Sequence, residues 1–322
     1  MNVHLVGSIG LDSVEEIFST VGRTLGRHLK HIPDGEVGPR RLWVSFQYPL
    51  LRSSPYLRPD PSGEVRPTNK FPKLCLAEGI DPAEVAFGEL GYAREAKGSY
   101  LDFCAARERG DLPKDVRFQV CLPTPMGVIY AFCTARDVLA IDAAYEKAMA
   151  REVERICRAI PHQDLCIQWD FCHEMIILDG QPQDHFPTVK ASLEDIMQRM
   201  RRISAAVPKD VELGVHLCYG DFAAKHINEP RGMGPMVEVA NAMAKAIERP
   251  IAYKPHAGAD LPIRRCVLRA AQAARVRGRA IPRRRPCGRR RRRHEEAHGD
   301  GLEVRAEVRH RLRVRHRAGA QA

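Results

Sequence analysis

Residues 211–221 read VELGVHLCYGD, and this segment decides the fold prediction. Apolar and small residues lead into a polar end, which is typical of a buried strand in a parallel sheet. His216 and Cys218 are two positions apart, so on a strand both side chains point to the same side. A thiolate and an imidazole placed in this way suit Zn²⁺. The plain alternative is that both are core residues of a buried strand.

Other segments repeat the strand pattern, and helical periodicity separates most of them. Strands are predicted at 3–6, 29–32, 116–122, 165–169, 211–217 and 251–253. Helices are predicted at 14–29, with Asp12 or Ser13 as the N-cap, and at 142–160, 193–206 and 236–247. A long loop or an excursion from the main fold, rich in proline and serine, is predicted at 49–72. The alternation indicates parallel βαβ units, and an α/β fold of the (β/α)8 TIM-barrel type is predicted, with a doubly wound open sheet as the competitor.

Polar residues follow several predicted strands, where barrel enzymes place their sites. Ser8, Glu36 and Asp170 stand at such strand ends. Each has a structural alternative. Ser8 and Asp170 can cap the helices that follow them, and Glu36 can form an ion pair with Arg40 or Arg41.

Four motifs resemble those of cobalamin-independent methionine synthase and occur in the same order. They are Gly7-Ser8, Gly35-Glu36, Ile167-Gln168-Trp169-Asp170 and His216-Leu217-Cys218-Tyr219. The resemblance covers most of residues 3–254 as short motifs. It points to the superfamily that also contains other zinc-dependent thiol alkyltransferases and relatives with the uroporphyrinogen decarboxylase fold.

The resemblance implies a role for each matched residue. His216 and Cys218 would bind zinc, Glu36 and Asp170 would hold the amino group of homocysteine, and Ser8 would contact its carboxylate. The family has Glu-Pro after the aspartate, whereas Phe171-Cys172 follows Asp170 here. That departure puts the folate and homocysteine specificities in doubt.

Three further residues, at positions 172–174, lie shortly after the third motif. Cys172 is predicted to be structural. His173 and Glu174 are candidates for the same site, although a structural role is the simpler expectation for them.

Charge divides the chain into two parts. The net charge is +11, but residues 256–322 contain 20 arginines and six acidic residues, so the preceding part is mildly acidic. No aromatic residue occurs after position 254. We therefore predict an incomplete barrel over residues 1–254 and an aberrant tail over residues 255–322, which is expected to be disordered.

The composition of the tail is typical of GC-rich coding DNA read in the wrong frame. With plausible codons, a shift of one nucleotide turns parts of it into HMPVPI, LYLGVVHA and FGIASECGIARA, all at the same offset. These peptides would supply the end of the sixth strand and the last two strands, including a final zinc-binding cysteine. We therefore predict a frameshift near Lys254, an incomplete zinc site and a chain that is inactive as written. A genuine basic tail is the alternative.

Three functions follow from these observations. The first is a zinc-dependent methyl- or alkyltransferase that uses a small-molecule thiol and a methyl donor. The second is a decarboxylase or lyase of the same superfamily that does not use zinc. The third is nonspecific nucleic-acid binding through the tail, which is disfavoured because the tail has no aromatic residue for base stacking. Scattered cysteines, a start without a secretory signal and the lack of a long apolar run predict a cytoplasmic location with no membrane partner.

Overall fold

The computed structural model describes residues 3–63, 65, 71–180, 191–222, 225–226, 230 and 232–253. These residues all belong to the first of the two units into which the chain divides, Met1–Arg277. The predictions for the tail, including the frameshift and the missing strands, lie outside the described residues.

Strands and helices alternate through most of the described chain. The strands are β1 His31–Pro33, β2 Leu57–Pro59, β3 Leu74–Leu76, β4 Arg117–Pro123, β5 Leu165–Phe171, β6 Glu212–Leu217, β7 Asp221–Phe222, β8 Lys225–His226 and β9 Ala252–Tyr253. The α-helices are α1 Val14–Leu25, α2 Tyr48–Arg52, α3 Tyr92–Glu108, α4 Pro125–Phe132, α5 Val138–Ala159, α6 His173–Asp179, α7 Leu193–Ala205 and α8 Gly234–Ala246. Short 3-10 helices cover Gly26–His28, Gly38–Gln47, Pro82–Glu84 and His162–Asp164.

Five strands form one parallel sheet in the order β1-β4-β5-β6-β9. The predicted first strand is reduced to a parallel bridge between Val3 and Leu29, just before β1. The α/β class with a parallel sheet is therefore confirmed. The described strands leave the sheet open, with no pairing between Val3 and β9 among them.

The two sides of the sheet differ in chemistry because successive residues on a strand face opposite ways. The side that we call the apolar face carries Phe118, Val120, Leu122, Ile167, Trp169 and Val215, all buried. The side that we call the polar face carries His31, Gln119, Cys121, Gln168, Asp170 and His216, which are also buried. Buried polar side chains need partners; Gln119, Gln168 and Asp170 find them in the network described below, and His31 pairs with Glu212.

Helix ends confirm part of the sequence prediction. Ser13 is the N-cap of α1, and its side chain accepts a hydrogen bond from the Glu16 amide. Ser192 and Asp195 form a capping box at the start of α7. Such caps satisfy amides that the helix itself leaves unpaired, so these helix starts are set locally by the sequence.

Other parts of the sequence prediction were wrong. The region at 49–72 is not a plain loop: it contains most of α2 and all of β2, which pairs with β3 in an antiparallel ribbon, so only the alternative of an excursion is compatible with it. Helices α3, α4 and α6 were not predicted. In α3 the buried positions are held mostly by small residues such as Ala93, Ala96 and Ser99, so its apolar periodicity is weak. Helix α4 is buried along its whole length, so it shows no polar side by which to recognise it.

Within the described residues, no helix combines the length and the apolar character needed to cross a membrane.

Candidate functional site

The predicted site residues lie at the carboxyl ends of neighbouring strands. Asp170 in β5 is the register partner of His216 in β6. Cys218 comes directly after β6, and its amide donates to the carbonyl of Phe171 at 3.2 Å. Glu36 follows β1 in the turn at the same edge of the sheet. Parallel pairing therefore brings together residues that are far apart in the sequence.

A tight turn after β1 positions Glu36. Gly35 and Glu36 both have positive φ, at 77° and 53°. A Cβ atom on Gly35 would lie only 2.2 Å from Cδ1 of Ile17, so glycine is needed there for space as well as for conformation. The Glu36 amide donates to Oδ1 of Asp34 at 3.1 Å. The Ser8 hydroxyl donates to Oε2 of Glu36, so these two candidates are in direct contact.

The structural alternatives for Ser8 and Glu36 do not hold. Arg40 forms a two-point ion pair with Asp34, with distances of 2.6 and 3.2 Å, and not with Glu36. Arg41 lies beside Asp12 at 3.3 Å. The cap of α1 is Ser13 rather than Ser8.

Burial dominates the electrostatics of Glu36. It raises the pKa of the carboxyl above 4.5, the hydrogen bond from Ser8 opposes this rise, and nearby Asp34 adds to it. Arg40 and His216 both favour the charged form. The pKa of Glu36 therefore depends on the charge of His216.

A network of amide side chains supports Asp170. Nε2 of Gln168 donates to Oδ1 of Asp170 at 2.8 Å and to the carbonyl of Val6 at 2.6 Å. Oε1 of Gln168 accepts from Nε2 of Gln119 at 3.2 Å and contacts Nε2 of His4 at 2.9 Å. Asp170 is thus fixed from its own strand and from the neighbouring one.

The alternative that Asp170 is a helix cap also fails. Helix α6 starts at His173, its N-cap position is Cys172, and that cap has no side-chain hydrogen bond.

The pKa of Asp170 is raised to about 8, chiefly by burial. Nearby His216 opposes the rise, whereas Glu36 and Cys218 add to it. Burial therefore favours the protonated form of this carboxyl at neutral pH. Asp170 interacts electrostatically with Glu36, His216 and Cys218, so the four strand-end residues form one cluster.

Cys218 has the opposite behaviour. Its pKa is lowered well below that of an ordinary thiol because Cys172 hydrogen-bonds its sulfur. Burial opposes this effect, and His216 reinforces it through its charge and a hydrogen bond. The pKa of Cys172 is raised in turn by the same hydrogen bond and by burial. The two thiols are therefore direct neighbours.

Cys172, predicted to be structural, and Glu174, predicted as a candidate for the site with a structural role as the simpler expectation, both lie near the site. Glu174 is buried in the first turn of α6, and burial raises the pKa of its carboxyl to about 7. The Thr124 side chain stabilises its charged form, whereas Cys218 disfavours it. His173 is also buried and stacks on Trp43 with ring centroids 5.7 Å apart.

Gln119, Cys121, Gln168 and His4 also belong to the site, and sequence reasoning gave them no role. The signal was present in part, because Gln119 and Cys121 alternate with the apolar residues of β4. A glutamine or cysteine that recurs every second position of a buried strand indicates a polar interior.

His216 and Cys218 fit zinc in donor chemistry but do not by themselves complete a site. An imidazole and a thiol whose pKa is lowered are suitable ligands. Among the described residues, however, no group of three or more histidine, cysteine, aspartate or glutamate side chains is arranged to hold a metal ion. A full set of ligands would need a residue from elsewhere in the chain or a local rearrangement.

Comparisons with protein-family models, with curated proteins and with solved structures found no match for this chain.

Proposed function

We propose that this chain carries the site of a zinc-dependent methyl- or alkyltransferase that acts on a thiol such as homocysteine. The observation that carries the proposal is the convergence of Glu36, Asp170, His216 and Cys218 at one edge of the sheet. The resemblance to cobalamin-independent methionine synthase supports it, since the four motifs predict this grouping.

Strand order supports the finer proposal of a TIM-type barrel. In a doubly wound sheet the strand order reverses at a switch point, and ligands bind there. Here the sheet order β1-β4-β5-β6-β9 follows the chain order without reversal. The bridge from Val3 to Leu29 extends the same order before β1. A buried polar face is what the interior end of a barrel presents to a substrate.

The chain's own residues would divide the work. His216 and Cys218 would hold zinc, which when bound would supply the positive charge that favours the thiolate form of a substrate thiol. Glu36 and Asp170 receive the ammonium group of an amino-acid thiol, and the arriving positive charge stabilises both carboxylates. Ser8 would orient Glu36 through its hydrogen bond. This positioning role differs from the contact with the substrate carboxylate that the resemblance implies.

A decarboxylase or lyase without zinc is the second candidate, and the protonation of Asp170 favours it. A buried carboxyl with a pKa of about 8 is a proton donor at neutral pH. Asp170 can bind the ammonium group of an amino-acid thiol as a carboxylate only after it has lost that proton. The two candidates therefore differ in the ligand charge that the site prefers.

Ligand binding separates these candidates. Homocysteine and 4-mercaptobutanoate, which lacks the amino group, can be titrated into the full chain by calorimetry in the presence of zinc. Glu36→Gln should weaken homocysteine binding about tenfold or more, because a charged hydrogen bond is worth about 1.5–3 kcal/mol. Binding of 4-mercaptobutanoate should change little.

The matched control is Glu108→Gln, an exposed glutamate at the end of α3. Equal losses for both ligands in Glu36→Gln would mean that Glu36 has only a structural role. Tighter binding of 4-mercaptobutanoate than of homocysteine by the unaltered chain would favour the second candidate.

A further inference from the structure

Cys172 and Cys218 end two adjacent strands at the same level. The last register pair of β5 and β6 is Phe171 with Leu217, so the two cysteines are the next residues on each strand. The Cys218 amide donates to the Phe171 carbonyl at 3.2 Å, which continues the ladder to this point. The two thiols are close enough to perturb each other's pKa values through a hydrogen-bond interaction.

This placement is close to that of a disulfide. Adjacent strands lie about 4.7–4.9 Å apart, and the Cα atoms of disulfide-bonded cysteines are usually about 4.4–6.8 Å apart. Thiols that already share a hydrogen bond need only a small rotation to bond. The backbone therefore does not have to move far for the two sulfur atoms to join.

Exposure selects Cys218 as the sulfur that reacts first. Among the eight described cysteines, only Cys104 and Cys218 are half-buried, and the other six, including Cys172, are buried. Cys218 is the more exposed of the two thiols, so a small oxidant meets it before Cys172. Cys172, which is buried, would act as the resolving thiol, as in redox-sensitive cysteine pairs.

We propose that Cys172 and Cys218 form a dithiol that a hydroperoxide converts reversibly into a disulfide. In the first step the Cys218 thiol reduces the hydroperoxide to an alcohol, or hydrogen peroxide to water, and becomes a sulfenic acid. In the second step the Cys172 sulfur attacks the sulfenic sulfur, the S–S bond forms and one water leaves. Two electrons pass to the oxidant, and a thiol reductant returns both cysteines to the starting state.

The disulfide would remove the sulfur ligand from the candidate zinc site. That consequence rests on the proposed function, whereas the dithiol itself does not. Formation of the disulfide can therefore be tested on metal-free protein, where a wrong zinc assignment has no influence.

The test uses the full chain, reduced, treated with a chelator and then exposed to a small molar excess of hydrogen peroxide. Trypsin releases Cys218 on residues 210–225, as the one cysteine of that peptide, and Cys172 on residues 159–190, together with Cys166. We expect these two peptides to be linked, two of the ten thiols to disappear, and dithiothreitol to restore them.

Two variants identify the partner of Cys218. Cys166 lies at the opposite end of β5 and pairs in register with Glu212. Cys166→Ala should therefore retain the link. Cys172→Ala should lose the link and leave Cys218 open to further oxidation to the sulfinic acid.

The proposal is overturned if the unaltered chain accumulates sulfinic acid at Cys218 while Cys172 stays a free thiol, or if the link persists in Cys172→Ala. These results come from the unaltered chain as well as from the variants, so they do not depend on whether a variant folds. Zinc added before the peroxide gives a separate reading, in which protection of Cys218 supports the metal site. A disulfide that forms equally with and without zinc supports the dithiol and counts against the proposed zinc function.

Discussion

The polar and apolar faces of the sheet are buried to a similar degree, but their side chains make different kinds of interaction. Ile167, Trp169 and Val215 on the apolar face are fully buried and pack against the surrounding core. Gln168 and Asp170 alternate with them along β5, yet they lie in a network of hydrogen bonds. A buried amide and a buried carboxyl gain little stability compared with apolar residues. Packing on the apolar face therefore contributes more to stability, whereas the residues suited to chemistry lie on the polar face.

The largest expected effect concerns the apolar face. Trp169→Ala should lower the free energy of unfolding by about 3–5 kcal/mol, because it removes a large, fully buried side chain and leaves a cavity. Urea unfolding followed by circular dichroism measures the change. A loss below about 1 kcal/mol would contradict the assignment of this face as the stabilising one.

A smaller effect concerns the proton on Glu174. Its pKa is raised from 4.5 to about 7 in the folded protein. Between these values the unfolded chain releases the proton while the folded protein keeps it, so stability should fall as pH rises from 4.5 to 7 and then level off. Removal of the titrating group in Glu174→Gln should remove this part of the pH dependence, on the order of 1–3 kcal/mol.

Urea midpoints measured at several pH values test this expectation. Glu108→Gln, at an exposed position, serves as the control and should keep the slope of the unaltered chain. If Glu174→Gln and the unaltered chain show the same slope, the buried carboxyl does not hold its proton at neutral pH.

The smallest effect concerns the network of the polar face. Gln168→Leu is similar in size but removes the partners of Asp170 and of the Val6 carbonyl. It should cost about 1–2 kcal/mol in the free energy of unfolding, since buried polar atoms are left unpaired. A variant as stable as the unaltered chain, or more stable, would mean that the polar face behaves as an ordinary core.

The sequence predicted the parallel strands well because their signal is local. The runs at 116–122 and 165–169 match β4 and β5 within two residues at either end. Strand 3–6 was overpredicted, since only Val3 forms a bridge in the described structure. Helix α3 was missed because small residues hide its buried side.

The candidate site was predicted only in part for a related reason. Glu36, Asp170, His216 and Cys218 stand at strand ends, where the sequence itself marks them. Contacts such as that between Cys172 and Cys218 depend on register between strands that are about forty residues apart, which no local pattern records.

The zinc site proposed at the end of the polar face, with His216 and Cys218 as ligands, can be tested directly. Competition with a chromogenic chelator measures the zinc affinity of the full chain, and in parallel that of a version whose reading frame is restored after Lys254. We predict that Cys218→Ser weakens zinc binding about tenfold or more in both proteins. Cys166→Ser, which alters a thiol at the other end of β5, should leave the affinity unchanged. If the double variant His216→Ala, Cys218→Ser binds zinc as tightly as the unaltered chain, His216 and Cys218 are not the zinc ligands.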